Sequence, residues 1–247
     1  MKHPEGADNT RRNLIFKAPI YGAAFAASAG LPLLADRMKK KMGQNGEEEV
    51  STNEDLMREH GVLKRVLLAY DEVFRRIRAN EDFPPQSVVD SATIIRKFIE
   101  DYHEKLEEDY LFPRFRKAGK LVDLVNVLLT QHQAGRRVTD RIFATVQSLK
   151  TKDDRNRLAD DLHAFVRMYA PHEAREDTVL FPALHKIVSP HEYDALGEQF
   201  DKIERQTFGG DGFDIYVDKV AAVEKQLGIY DLAQFTPRRA LICCSDC

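Results

Sequence analysis

The sequence has little that would hold a chain together other than packing. Its three cysteines, Cys243, Cys244 and Cys247, all fall in the last five of 247 positions, too few for a disulfide framework. Thirteen glycines and ten prolines exclude a fibrous or linker-like composition. Charge of one sign is also missing. The 37 Lys and Arg nearly cancel the 40 Asp and Glu, leaving a net charge of -3, without the basic excess of a nucleic-acid binder. Long apolar runs are scarce too. The extended uncharged stretch, residues 18–35, contains Pro19, Gly22, Gly30 and Pro32, and a stable membrane span needs about 20 apolar residues. No nucleic-acid role and no stable membrane span are therefore expected. What remains is 43% hydrophobic and 31% charged, ordinary for a packed domain.

That uncharged stretch follows the pair Arg11-Arg12. A basic segment, then a mildly apolar run, then small residues is the layout of an export leader, and the paired arginines make residues 1–35 resemble a twin-arginine signal. Leu14 stands where that pattern prefers Phe, and Lys17 comes one place late. Arg75-Arg76, Arg136-Arg137 and Arg238-Arg239 precede no such run. The expectation is a periplasmic or otherwise exported protein, with a flexible arm on a cytoplasmic protein as the alternative. Residues 36–51 are basic, then polar and Gly-containing, and read as a linker. Ser51, Thr52 or Asn53, ahead of Glu54 and Asp55, offers a helix N-cap. At the other end, three thiols without a nearby His fall short of a structural zinc site. Cys244 and Cys247 have dithiol spacing, and the tail is expected to be exposed.

An internal repeat decides the architecture. Residues 103–113 read HEKLEEDYLFP and residues 172–182 read HEAREDTVLFP: the same H-E-x-x-E-acidic-x-x-L-F-P pattern without a gap. Each copy is preceded by a weaker match, His60 to Val66 against His132 to Val138. Apolar residues at three- and four-residue steps, such as Leu56, Leu63, Val66, Leu67 and Tyr70, predict helices. They fall at about 52–80, 85–115, 119–149 and 152–187, with Pro171 expected to kink the last. Short connections make these an all-α, up-down-up-down four-helix bundle over 52–188. Residues 189–247 are expected to add two shorter helices, about 190–205 and 213–227, outside the bundle, and then the tail.

Residues four apart on a helix share a face, about 6 Å apart along the axis. His103 with Glu107, and His172 with Glu176, therefore point the same way, on the side of each helix's apolar stripe. Burying two carboxylates from facing helices is costly and mutually repulsive, and cations between them remove both problems. Glu107 and Glu176 can bridge two metals, with His60, His103, His132 and His172 capping them two per ion. Imidazole and carboxylate without thiolate suit iron or manganese. His3, His163, His185 and His191 are expected to face solvent, His163 because it lies nine residues from His172. Glu104 and Glu173, one residue past each histidine, either lie on a helix flank or swing in as extra ligands. Tyr110, seven residues after His103, returns to the metal-facing side, either as a core aromatic or as a phenol beside the site. Leu111, Phe112, Leu180 and Phe181 form an apolar wall.

With these residues in place, the sequence resembles the hemerythrin-like, HHE cation-binding proteins over about residues 52–188. The resemblance implies a four-helix bundle holding two non-haem iron ions, with His60 from the first helix, His103 and Glu107 from the second, His132 from the third, and His172 and Glu176 from the fourth. In oxygen-carrying hemerythrins the third helix supplies two histidines four apart. Here Arg136 follows His132, so the set of four His and two Glu looks more like iron-centre repair proteins and bacterial HHE proteins. The implied activity is binding, and reduction by an electron donor, of dioxygen, peroxide or nitric oxide. The alternatives are a non-enzymatic binder or sensor, or iron storage and delivery.

Overall fold

The computed structural model describes residues 50–237. The expected leader, most of the linker, His3 and the three cysteines lie outside the described residues.

Helix α1, Thr52–Arg78, begins where Ser51 accepts a hydrogen bond from the Glu54 amide. Glu54 and Asp55 in its first turn and Arg75, Arg76 and Arg78 in its last oppose the helix dipole. Helix α2 is a continuous rod of five segments: α-helical Pro85–Ile94, π-helical Ile95–His103, α-helical Glu104–Leu106, π-helical Glu107–Leu111 and α-helical Phe112–Ala118. Gly119, at φ 61°, terminates it in the left-handed region, which glycine enters without steric cost. Helix α3, Val122–Gln147, starts three residues later than expected because Leu121 is also left-handed, at φ 51°. Helix α4 opens on a capping box between Thr151 and Asp154 and runs Lys152–Arg175. It continues as π-helical Glu176–Leu180 and α-helical Phe181–Leu184. Pro171 sits inside α4 and the helix passes through it; the departure from α-geometry begins five residues later.

No π-helical turn is expected from the sequence pattern, and two of the three stretches, Glu107–Leu111 and Glu176–Leu180, have a local cause. Pro113 and Pro182 are each the second residue of the α-segment after a π-helical stretch. A proline lacks the N–H for an i−4 bond, and its ring crowds the carbonyl four residues back. Those carbonyls belong to Asp109 and Thr178, and widening the turn relieves the crowding. Because the repeat carries the proline in both copies, both copies carry the wide turn.

Helices α1 and α3 each pack on α2 and α4, giving an antiparallel four-helix bundle. Its interior is filled by side chains with almost no exposure, among them Leu63, Val66, Tyr70, Ile142, Leu158 and Phe165. Each such residue is worth roughly 1.5–3 kcal/mol of burial. Helix α5, Pro190–Phe208, and helix α6, Gly212–Leu227, lie outside the bundle on the α1–α2 side. Tyr216 of α6 stacks on Phe98 at 4.5 Å, and Glu224 takes a bidentate pair from Arg65 at 2.9 and 2.6 Å. Tyr193 of α5 caps the start of α1, its hydroxyl accepting from the Asn53 amide at 2.8 Å. Among the described residues no helix is long and apolar enough to cross a membrane.

Candidate metal centre

The bundle brings the six candidate ligands together in two buried trios: His60, His103 and Glu107, and His132, His172 and Glu176. Within each trio, one nitrogen or oxygen atom per residue lies within 4.8 Å of the others. The carboxylates reach across between trios. Glu176 Oε2 is 3.4 Å from His60 Nε2, and its Oε1 is 3.1 Å from His172 Nε2. Glu107 Oε2 is 3.4 Å from His132 Nε2, and its Oε1 is 3.9 Å from His103 Nε2.

The outer nitrogen of every ring is tethered. His60 Nδ1 meets Asp177 at 2.7 Å, His103 Nδ1 meets Glu59 at 2.5 Å, His132 Nδ1 meets Glu108 at 3.1 Å and His172 Nδ1 meets Gln131 Oε1 at 2.8 Å. An ionised carboxylate or an amide oxygen can only accept, so Asp177, Glu108 and Gln131 keep hydrogen on the Nδ1 they face, as does Glu59 once ionised. The lone pair of Nε2 then points inward. Carboxylate or amide support behind a histidine is the arrangement that orients metal ligands and strengthens them as donors. Two Nε2 atoms, of His132 and His172, approach to 3.2 Å, a separation that calls for a proton or a metal cation between the two lone pairs. Both oxygens of Glu107 and of Glu176, and His103 Nε2, are buried without a hydrogen-bond partner. Orphaned acceptors at this depth cost several kcal/mol unless a cation meets them.

The charges in the metal-free chain reflect that demand. Burial pushes the Glu107 carboxyl upward, and the neighbouring Glu176 charge pushes it further. Glu176 falls below the usual carboxylate range, burial being outweighed by His172 and His60. Burial opposes charge on His60, yet Asp177 and Glu176 raise it to about 10. Burial lowers His103 to about 4 and raises Glu59 to about 8.

Repeat symmetry extends beyond the trios. Phe181 stacks on His60 and Phe112 on His132, each with ring centres 5.5 Å apart, so the Phe of each L-F-P packs against the face of a neighbouring helix's histidine. Leu111 and Leu180 are fully buried beside them. Four residues after His60, Lys64 pairs with Asp177 at 3.1 Å; four residues after His132, Arg136 pairs with Glu108 at 2.7 Å. The position that holds a further histidine in oxygen carriers is thus used here to neutralise the carboxylate behind a ring.

Arg136 also holds Glu104 at 2.7 Å, and the Tyr169 hydroxyl donates to Glu104 at 2.6 Å. Glu104 and Glu173 are both buried, not on an exposed flank, and burial raises Glu173 to about 7. Glu104, Glu108 and His132 also cluster like metal ligands, but the Arg136 guanidinium already supplies their cation. Tyr110 turns away from the centre and packs edge-on against Phe200 of α5, ring centres 5.6 Å apart. The intervening π-helical turns take more residues each, so seven positions no longer make two turns, and the core reading of this aromatic holds. His163, His185 and His191 are exposed; the first two stack on Phe74 and Tyr193.

The profile of the hemerythrin HHE cation binding domain matches residues 51–184. The chain belongs to that family. Uncharacterized proteins of Mycobacterium tuberculosis strains H37Rv and CDC 1551 and of Mycobacterium bovis are each 48% identical over 237 residues, covering 95% of this chain and 93% of the relative. No solved structure matches the chain. Membership accounts for a cation at the heart of the bundle and for the paired H-E-x-x-E segments. Glu59, Glu108, Gln131 and Asp177, the partners of the hemerythrin-type histidines, were not singled out from the sequence. One signal was present: each is adjacent in the chain to a candidate ligand, and Glu108 and Asp177 occupy the same acidic position of the repeat.

Proposed function

We propose that this hemerythrin-like bundle holds a non-haem diiron centre that binds and reduces a small oxidant: dioxygen, peroxide or nitric oxide. The observation that carries the reading is the set of four tethered imidazoles whose free nitrogens converge on four unpartnered carboxylate oxygens. Those groups fit a pair of divalent cations, and a donor set without sulfur favours iron or manganese. His60 and His103 would hold one ion, His132 and His172 the other, with Glu107 and Glu176 between them. Bound iron supplies the one-electron steps that carboxylates and imidazoles lack.

The chain's own contribution is positional. Asp177, Glu59, Glu108 and Gln131 hold the rings in one tautomer, and Phe112 and Phe181 shield two of them from water. Six protein side chains do not fill the coordination of two ions, and open positions are the condition for a metal to do chemistry. Arg136 in place of a fifth histidine favours turnover over reversible carriage. Export through the leader-like residues 1–35 belongs to the same proposal, and fractionation that finds the full-length chain in the cytoplasm removes it.

Anaerobic iron loading followed by separate additions of dioxygen, peroxide and nitric oxide, watched optically, tests the function. Two irons per chain with rapid consumption of one oxidant supports it. Fewer than one iron per chain defeats the diiron reading. A stable, reversible oxygen adduct favours a carrier, and fast loss of iron to an acceptor protein favours delivery.

A further inference from the structure

The inner ring of the centre is symmetric between the two halves of the bundle, but the ring of residues behind it is not. His60 and His132 are each backed by a carboxylate whose charge is answered by a basic residue four positions further on, Lys64 or Arg136. The other pair departs from this. His103 Nδ1 meets the carboxylate of Glu59, at 2.5 Å, whereas His172 Nδ1 meets the neutral amide of Gln131, at 2.8 Å. Glu59 and Gln131 are equivalent positions, each immediately preceding the histidine of its helix. Glu59 is wholly buried, and no ion pair among the described residues joins it to a lysine or arginine.

We infer that the two metal positions are inequivalent, with the His60–His103–Glu107 position the tighter and more electron-rich because Glu59 stands where its counterpart is Gln131. The inference rests on the diiron reading. When a cation takes Nε2 of His103, the Nδ1 hydrogen is donated to a carboxylate that no lysine or arginine among the described residues pairs with. The His172–Gln131 pair at the second position is neutral. A carboxylate accepts more strongly than an amide, so His103 is the stronger donor to its ion, and a carboxylate without a basic partner stands behind a histidine at one position only. Partners of this kind change metal affinity by about 10–100-fold. The more electron-rich position also gives up an electron first, so a half-oxidised centre has its ferric ion beside Glu59.

The test is an anaerobic titration of the metal-free, full-length protein with ferrous iron, joined to Mössbauer spectroscopy of the loaded form. Expected are two equivalents per chain taken up in two steps at least about 10-fold apart, and two quadrupole doublets of equal area. Gln131→Glu should tighten the weaker step and merge the two. Glu59→Gln should merge them from the other side by weakening the tighter step, and it decides the matter alone if Gln131→Glu does not fold. Helix content matching the wild type shows that a variant is folded. Two equivalents bound in a single step with one doublet overturn the inference while leaving the diiron centre standing, as does a separation that neither substitution alters. Uptake of fewer than two equivalents overturns both.

Discussion

The half of the bundle formed by α1 and α2 and the half formed by α3 and α4 use one repeated sequence pattern in different surroundings. Both supply two histidines and one buried glutamate to the centre, a wide turn ahead of a proline, and a phenylalanine stacked on a neighbouring histidine. Their outer faces diverge. The first half is covered by α5 and α6 and places the buried acid Glu59 behind His103. The second half has Gln131 at the equivalent place, and its Arg136 is drawn inward to pair with both Glu104 and Glu108. Lys64, the counterpart of Arg136, is half exposed and pairs with Asp177 alone. The inner ring is therefore set by what cations require, and the outer ring by what each half packs against.

Substitutions in the inner ring should erase the difference between halves by removing the centre altogether. Glu107→Ala and Glu176→Ala should each abolish the oxo-bridged absorption of the iron-loaded protein and reduce bound iron to one per chain or less. Survival of the full spectrum in either variant refutes the ligand assignment. Next in size are the basic residues behind the rings. Arg136→Met leaves buried Glu104 without its cation and should cost about 3 kcal/mol in denaturant unfolding. Lys64→Met, at a partly exposed pair, should cost under about 1 kcal/mol. Equal costs would show that the two halves are balanced in the outer ring as well.

Proton linkage gives a third comparison, between the metal-free and loaded proteins. In the folded metal-free chain the pKa of His60 is raised to about 10 and that of Glu59 to about 8. Between pH 6.5 and 10 the folded state therefore binds more protons than the unfolded one, and stability falls as pH rises. His103, lowered to about 4, acts the other way but only between about pH 4 and 6.5. The metal-free melting temperature should drop from pH 6.5 to 9. The stabilisation brought by metal should grow over the same range, because protons compete for the ligands. Parallel curves for the two forms would contradict this.

A last comparison concerns one glycine from each half. A Cβ at Gly135 would lie 2.0 Å from the Tyr169 hydroxyl, whereas Gly61 has open space around it. Gly135→Ala should destabilise by about 1–3 kcal/mol through overpacking and displace Tyr169 from Glu104. Gly61→Ala should stabilise by up to about 1 kcal/mol through helix propensity. Thermal unfolding of both variants, referenced to the wild type, gives the two signs directly.

The four helices and the six candidate ligands were legible because they rest on spacing, and spacing survives in a one-dimensional string. Ser51 was visible in the same way, as a local cap. What was not legible depended on partners distant in the chain. That Asp177 supports His60, 117 positions away, or that Tyr169 supports Glu104, follows from which helices are neighbours and from their rotation. Tyr110 shows how small the shift need be: the π-helical turns alone move it from the metal side to the α5 side. Pro113 and Pro182 carried that information, but only as a sign that the turn before them would differ.

Those two prolines also set a limit on how the chain can vary. From each candidate-ligand histidine to its proline is a run of ten steps, the same in both copies, and the wide turn falls where the proline forces it. Adding or removing one residue between Glu107 and Pro113 would rotate everything beyond by roughly 100°, swinging Phe112 off the ring of His132 while leaving His103 and Glu107 in place. The interval between histidine and proline thus behaves as a ruler. Substitutions along it can be absorbed, but a change in its length cannot.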